Sequence, residues 1–268
     1  MIRVCVAGVT GWTGRALVPA IEASPDLQLV AGVSRTAAGT SLSDAVGARS
    51  DGTVHASVRD ALASVPADVL VDYTSAAAVR ANVIEAVEAG VHVVVGSSGL
   101  TASDYAELDE LAREHGVGVI AAGNFSIQAA VLQHAAMMAA EYVAAWEVID
   151  YAAADKPDVP SGTAREIAEA LSEVRRPDPA VPVEDILGPR EARGVEVAGT
   201  RIHSVRLPSF VVSTEVVFGG EGERLILRHD PGPSPEPYVS GTLLAVRRVS
   251  ERTGVRRGLG SLLFPGRE

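Results

Sequence analysis

Ile2-Arg3-Val4-Cys5-Val6-Ala7-Gly8-Val9-Thr10-Gly11-Trp12-Thr13-Gly14-Arg15 is the stretch that decides the fold. Ile2 to Ala7 reads as a buried strand; Gly8, Gly11 and Gly14 follow it, and a segment of helical period then runs to about Ala23. Glycines at that place let the backbone turn tightly and approach a pyrophosphate, which then lies against the N–H groups and positive end of the helix dipole. The same spacing outside a strand and a helix would mark only a tight turn.

Outward from this turn, Leu27 to Val33 is a second strand, and Val69 to Asp72, Val91 to Val95 and Val117 to Ala121 are further short apolar strands. Helical segments from about Ala76 to Ala89 and from Ala102 to Glu114 lie between them. Strands joined through helices pair in parallel, so this half predicts an α/β dinucleotide-binding domain. From Phe125 the pattern changes to a long Ala-rich helix, a strand from Trp146 to Tyr151, a loop with Lys156, Pro157 and Pro160, and another helix. Thr200 to Arg206, Phe210 to Phe218 and Arg224 to His229 have strand length and short connections, which predicts a largely antiparallel meander and an α+β second domain. Asp230 to Pro237 is a Pro/Gly/Ser-rich return linker, and Tyr238 to Glu251 is helical again.

With 268 residues, 47% of them apolar, the chain can bury a core for one large or two modest domains, which excludes a disordered or fibrous protein. A net charge of −11 repels phosphate backbones and anionic lipid headgroups, so neither nucleic acid nor membrane is expected as a partner. A small anionic substrate must then be caught by local donors. Cys5, the only cysteine, sits inside the first strand as a small buried hydrophobe. Neither a signal peptide nor an apolar run of membrane-spanning length is read, which predicts a cytoplasmic protein.

Twenty residues past Gly14, where NAD-specific folds carry a carboxylate for the ribose, the chain has Ser34 and Arg35. A hydroxyl beside a guanidinium suits a 2′-phosphate, so NADPH is favoured, with NADH possible; Arg35 could instead be a solvated loop residue. Gly96, Ser97, Ser98 and Gly99 follow one strand end and Asn124, Phe125 and Ser126 the next, where ligands of open α/β sheets bind. Either set alone could be a turn and a helix cap. Asp155-Lys156-Pro157-Asp158-Val159-Pro160-Ser161-Gly162-Thr163-Ala164 closes a strand and opens a helix. Ser161, Gly162 and Thr163 there form a carboxylate cradle with Lys156 as a mobile positive charge, or else an ordinary helix start beside a surface lysine. No metal is expected.

These motifs, taken in order, resemble dihydrodipicolinate reductases over nearly the whole chain: Val6-Ala7-Gly8 through Gly14-Arg15, Asp72-Tyr73-Thr74, Gly96-Ser97-Ser98-Gly99, Asn124-Phe125-Ser126, Lys156 through Thr163, and Ile202-His203-Ser204-Val205-Arg206. The resemblance implies a Rossmann domain over 1–123 completed by a C-terminal helix within 236–268, and a substrate-binding and tetramerisation domain over 124–235. It implies hydride transfer from NAD(P)H to a cyclic unsaturated dicarboxylate in lysine synthesis. By position, Gly8, Gly11, Gly14 and Arg15 hold the pyrophosphate, Arg35 the adenosine ribose side, and Thr74, Gly96, Ser98 and Asn124 the nicotinamide side, with Phe125 lining the same pocket and Thr10, Trp12, Thr13 and Ser34 as further cofactor-binding residues. Lys156 donates a proton or stabilises charge, and Ser161, Gly162 and Thr163 bind a substrate carboxylate.

The chain departs from the family where a His-His pair is normal, four and three positions before the lysine; it has Ala152 and Ala153. Asp155 replaces a third histidine, Thr214 a basic strand residue, and an arginine of the return linker is lost near Pro235. Tyr151, Asp155 and Lys156 are the remaining candidates for the acid, and His203 is more naturally a packed or interface residue. Three readings follow: an active dihydrodipicolinate reductase with a slower proton step, a diverged reductase of another imine, enamine or unsaturated acid, and a silent dinucleotide-binding subunit.

Overall fold

A computed structural model describes residues 1–264, which fall into two compact units: Met1–Ile127 with the chain from Pro235 onward, and Gln128–Ser234. Of the C-terminal stretch read over 236–268, residues 265–268 lie outside the described residues. In the first unit, β1 (Ile2–Ala7), α1 (Trp12–Ala23), β2 (Leu27–Val33), α2 (Leu42–Val46), β3 (Thr53–His55), α3 (Val58–Ser64), β4 (Val69–Asp72), α4 (Val79–Glu88), β5 (His92–Val95), α5 (Ala102–Glu114) and β6 (Gly118–Ala121) alternate strand with helix. The chain leaves through α6 (Ile127–Ala140) for β7 (Trp146–Ala152), α7 (Gly162–Val174), β8 (Val195–Val197), β9 (Thr200–Arg206), β10 (Val212–Gly219) and β11 (Arg224–His229) of the second unit. It returns by α8 (Glu236–Arg248) to β12 (Gly254–Arg257) and α9 (Gly260–Leu263).

The first unit is a doubly wound parallel sheet in the order β12-β6-β5-β4-β1-β2-β3. Every residue of β4 and β6 is buried, as strands covered by helices on both faces require. Polar and apolar residues do not alternate in the central strands for that reason: Leu70 and Val71, Val93 and Val94, and Val119 and Ile120 are adjacent pairs buried on opposite faces. The winding reverses between β1 and β4, and the C-terminal ends of these two strands border the crevice where such sheets take ligands. Residues 34–68 carry α2, β3 and α3, elements too short for their period to stand out in the sequence.

The second unit is a mixed sheet in the order β11-β10-β7-β9-β8. Here the expected meander is corrected. β10 and β11 form a hairpin, but β9 and β10 are not neighbours: β7 lies between them, antiparallel to β10 and parallel to β9. The short link after β9 wraps the end of β7, with Leu207 N–H donating to Ala152 O and Ala153 N–H to Val211 O. One face of β7 (Trp146, Val148, Asp150, Ala152) is buried, and Val148 and Trp146 pack with Ile167, Leu171, Ile202 and Phe218. Among the described residues, no helix is long and apolar enough to cross a membrane.

Candidate active site

The turn after β1 is held by backbone on backbone. Gly8 has φ +78°, and a Cβ there would drive into the Tyr73 carbonyl, while one on Gly14 would meet the Gly8 carbonyl oxygen. Strand, turn and helix can close this far only on glycine. Gly11 is the N-cap of α1 and supplies no side-chain cap, and the first turn has no acid, so the positive end of the helix is left for an anion. Arg15 Nε donates to Thr10 O (3.0 Å), and the Thr10 and Ser34 hydroxyls are 2.8 Å apart. Thr36, which the sequence did not single out, extends this pair with its hydroxyl 3.2 Å from Ser34 Oγ. Arg35 is exposed beside them. Trp12 is 51% exposed and meets the Tyr238 ring edge-on at 5.9 Å.

The loops after β4 and β5 are tied by one buried carboxylate, Asp72. It accepts hydrogen bonds from Thr74 N (3.1 Å), Thr74 Oγ1 (2.8 Å), Ser97 Oγ (2.6 Å) and Asn82 Nδ2 (2.7 Å). Thr74 N also donates to Ser97 Oγ at 2.7 Å. Thus the hydroxyl of Thr74 points at Asp72, while Ser98 is exposed and Gly96 lies against the Tyr73 ring. The signal for Asp72 was an acid closing an otherwise apolar strand. Asn124 Oδ1 accepts from Ser126 N (2.8 Å), a local turn. Phe125 is buried against Tyr73 with ring centroids 6.2 Å apart, so its ring belongs to the core. Burial pushes the Tyr73 phenol pKa up, and its hydroxyl is 2.7 Å from Thr242 Oγ1.

In the second unit, Ser161 caps α7. Its hydroxyl accepts from Ala164 N (3.3 Å) and its own N–H donates to Asp150 Oδ2 (2.8 Å), so both polar groups face inward. Gly162 and Thr163 begin the helix, which has no acid in its first turn. Lys156 Nζ pairs with Asp158 Oδ1 at 2.7 Å, both side chains partly exposed. Asp155 is exposed. Tyr151 lies on the face of β7 opposite Asp150, stacked on Phe210 at 4.9 Å and under the Arg228 guanidinium at 5.0 Å. Lys156, Ser161, Gly162 and Thr163 therefore share one loop and helix start, and the Tyr151 side chain is turned away from Asp150 and its partners. Asp150, Ser204 and Arg206 were missed as site-forming residues. Asp150 is fully buried, and although burial alone would raise its pKa, hydrogen bonds from Ser161 and Arg206 hold it below the usual carboxylate value.

Family models described as the N-terminus and the C-terminus of dihydrodipicolinate reductase match residues 2–125 and 126–262. The chain belongs to the dihydrodipicolinate reductase family. It is 38% identical over 264 residues to a 4-hydroxy-tetrahydrodipicolinate reductase of Moorella thermoacetica, covering 98% of both chains. It is 35% identical over 263 residues to the one of Bacillus licheniformis, again covering 98% of each. A solved dihydrodipicolinate reductase from Paenisporosarcina sp. TG-14 with bound dipicolinate superposes with a TM-score of 0.77 at 29% identity, over 97% of this chain and 99% of that one. Dihydrodipicolinate reductases are oxidoreductases that use a nicotinamide dinucleotide, and the glycine turn of this chain fits one. At the positions where the resemblance leads one to expect the histidine pair of a dihydrodipicolinate reductase, Ala152 is sealed on the buried face of β7 and Ala153 is half-buried just beyond the strand. Thr214, in register with Asp150 on one side and His229 on the other, is buried as well.

Proposed function

We propose that the chain reduces 4-hydroxy-tetrahydrodipicolinate to tetrahydrodipicolinate in diaminopimelate and lysine synthesis, with NADPH preferred over NADH. The observation that carries this reading is Lys156: of 23 lysine and arginine residues it is the only lysine. A chain that takes arginine everywhere else has kept an amine at the start of α7, and an ammonium can release a proton where a guanidinium cannot. The names of its relatives and the dipicolinate in the Paenisporosarcina structure support a small dicarboxylate as the ligand.

Bound NADPH would supply the hydride. Gly8, Gly11, Gly14 and Arg15 hold its pyrophosphate. Thr10, Ser34 and Arg35 take the 2′-phosphate, and Thr74, Gly96, Ser98 and Asn124 take the nicotinamide side. A substrate carboxylate rests on the first turn of α7 at Gly162 and Thr163, and Lys156 stabilises or protonates the charge that develops. General acid groups contribute ~10²–10⁴-fold, so the missing histidines slow this reaction without removing its electrostatic basis. The protein acts as a homotetramer in the cytoplasm; Leu225 and Ile226, exposed on β11, support self-association. The sealed Ala152 favours a second reading, a reductase of another cyclic imine or conjugated acid.

NADPH oxidation followed with 4-hydroxy-tetrahydrodipicolinate and then with a panel of cyclic imines tests both. Lys156→Ala should lower kcat by about 100-fold with NADPH affinity unchanged. Arg35→Ala should weaken NADPH about tenfold and leave NADH as it was. Undiminished turnover in Lys156→Ala overturns the mechanism. Turnover on another imine but not on 4-hydroxy-tetrahydrodipicolinate selects the second reading, and none on any substrate leaves a silent dinucleotide-binding subunit.

A further inference from the structure

Arg206, the last residue of β9, is a largely buried guanidinium that reaches both Asp150 within β7 and Asp158 in the loop between β7 and α7. Its Nη2 donates to Asp150 Oδ2 (2.9 Å) and to the carbonyl oxygen of Asp158 (2.8 Å); its Nη1 donates to the carbonyl oxygens of Asp150 (3.1 Å) and Val205 (3.0 Å). Asp150 Oδ2 in turn accepts from Ser161 N (2.8 Å) and Ser204 Oγ (3.0 Å). The Asp150 side chain is fully buried and that of Arg206 is 14% exposed. The loop is therefore fixed to the sheet at Asp158 through its carbonyl and at Ser161 through its N–H. The same Asp158 whose carbonyl is gripped by Arg206 pairs through its carboxylate with Lys156 Nζ at 2.7 Å.

We infer that Asp150, Arg206 and Asp158 are positioning residues: Asp150 and Arg206 clamp the loop, and through Asp158 set where the Lys156 ammonium stands relative to the first turn of α7. This rests on the proposed function in taking that loop as the place of an anionic substrate. The physical reason is the cost of misplacement. An ammonium on four methylenes has several rotamers, and a substrate that must first order it binds more weakly than one that finds it held. The inward face of β7 offers no other charged anchor, because its remaining members there are Trp146, Val148 and Ala152. Arg206 does not serve as the anion trap itself, since its charge is opposed by Asp150. Asp158 both holds the lysine and competes for it: a bound carboxylate must share the ammonium with, or take it from, Asp158.

Because Lys156 is the only lysine, its position can be read directly with an amine reagent. Labelling by 2,4,6-trinitrobenzenesulfonate, located by peptide mass mapping, is to be measured on the full chain beside calorimetric binding of pyridine-2,6-dicarboxylate and of NADPH. Asp150→Asn and Arg206→Lys should each speed Lys156 labelling several-fold and weaken the dicarboxylate about tenfold, with NADPH affinity within about twofold of the parent. Asp158→Asn, on the partly exposed loop, should also speed labelling but weaken the dicarboxylate less than Asp150→Asn does, because the lost hold on the ammonium is offset by the lost competing carboxylate. Labelling and dicarboxylate affinity unchanged in all three variants would overturn the inference, as would faster labelling with unchanged affinity in Asp150→Asn. A parent chain that binds no dicarboxylate would sink the proposed substrate class instead, and the clamp would then stand or fall on the labelling rates.

Discussion

Among the described residues, each unit buries one carboxylate at or near the end of a strand, and the two are held in different ways. Asp72, closing β4, is held by neutral donors: a backbone N–H, two hydroxyls and the amide of Asn82. Asp150, near the end of β7, has a guanidinium against it. Neutral donors can be drawn from short side chains on neighbouring loops, so Asp72 ties together the loops after β4 and β5. A guanidinium adds reach and a planar fork, and Arg206 uses it to bind the sheet to a loop eight residues further along the chain from Asp150. The first arrangement shapes a rim; the second anchors a lever. Both carry the same liability, since either charge becomes costly once its partners are removed.

The size of that liability separates them. Arg206→Met leaves a buried carboxylate without its cation and should cost about 3–5 kcal/mol in denaturant unfolding. Asp72→Ala leaves only neutral donors, some able to turn to water, and should cost about 1–3 kcal/mol. If Asp72→Ala proves the more damaging, the distinction between ionic and neutral satisfaction is wrong for these sites. A second effect sharpens the functional side of the contrast: Asp72→Ala should weaken NADPH binding with little change in pyridine-2,6-dicarboxylate, whereas Asp150→Asn should do the reverse. Quenching of the half-exposed Trp12 offers a direct readout of the cofactor, because the other tryptophan, Trp146, is buried in the second unit.

Acid should reveal the smallest effect. Burial lowers the pKa of His92 in the first unit and of His229 in the second, and His92 Nδ1 accepts from Gly118 N at 2.8 Å, a bond that a proton on that nitrogen would break. Both groups are favoured neutral in the fold. Their contribution is therefore full above the ordinary histidine value of 6.5 and is lost as pH falls through the lowered pKa values. Melting between about pH 7.5 and 5.5 should show a fall of about 2–4 °C that His92→Gln reduces. The Asp150 contribution, from a carboxylate held below its usual value, survives that range and disappears only at more acid pH, as its lowered pKa is crossed. A melt that is flat over the same range would refute the histidine assignment.

What could be read from the sequence was local. Gly8, Gly11 and Gly14 lie within one turn of the chain, and Ser161 sits directly before the helix it caps, so spacing alone pointed to both. Asp150 and Arg206 are 56 positions apart, and nothing in the periodicity of β7 or β9 couples them. Apolar alternation marks a strand and its faces but not its neighbours, which is why β7 could enter between β9 and β10 unannounced. Alternation did carry the information that Tyr151 and Asp150 point to opposite faces, and applying it would have turned Tyr151 away from the cradle. Phe125 follows a strand end, as a pocket residue would, yet its ring packs on Tyr73; a sequence position fixes the backbone's place better than the direction of a ring.

The return of the chain through α8 to β12 has a bearing on how the molecule is made. β12 pairs in parallel with β6, and Gly241 of α8 packs so closely on the Phe125 carbonyl that a Cβ would not fit. Until synthesis reaches these last segments, the β6 edge and the Phe125 carbonyl lack their final covering. The second unit, by contrast, is one uninterrupted stretch, Gln128–Ser234. On the ribosome the insert therefore has all of its sheet before its host does, and the dinucleotide-binding unit, although first in the sequence, is the last to acquire its full set of long-range pairings.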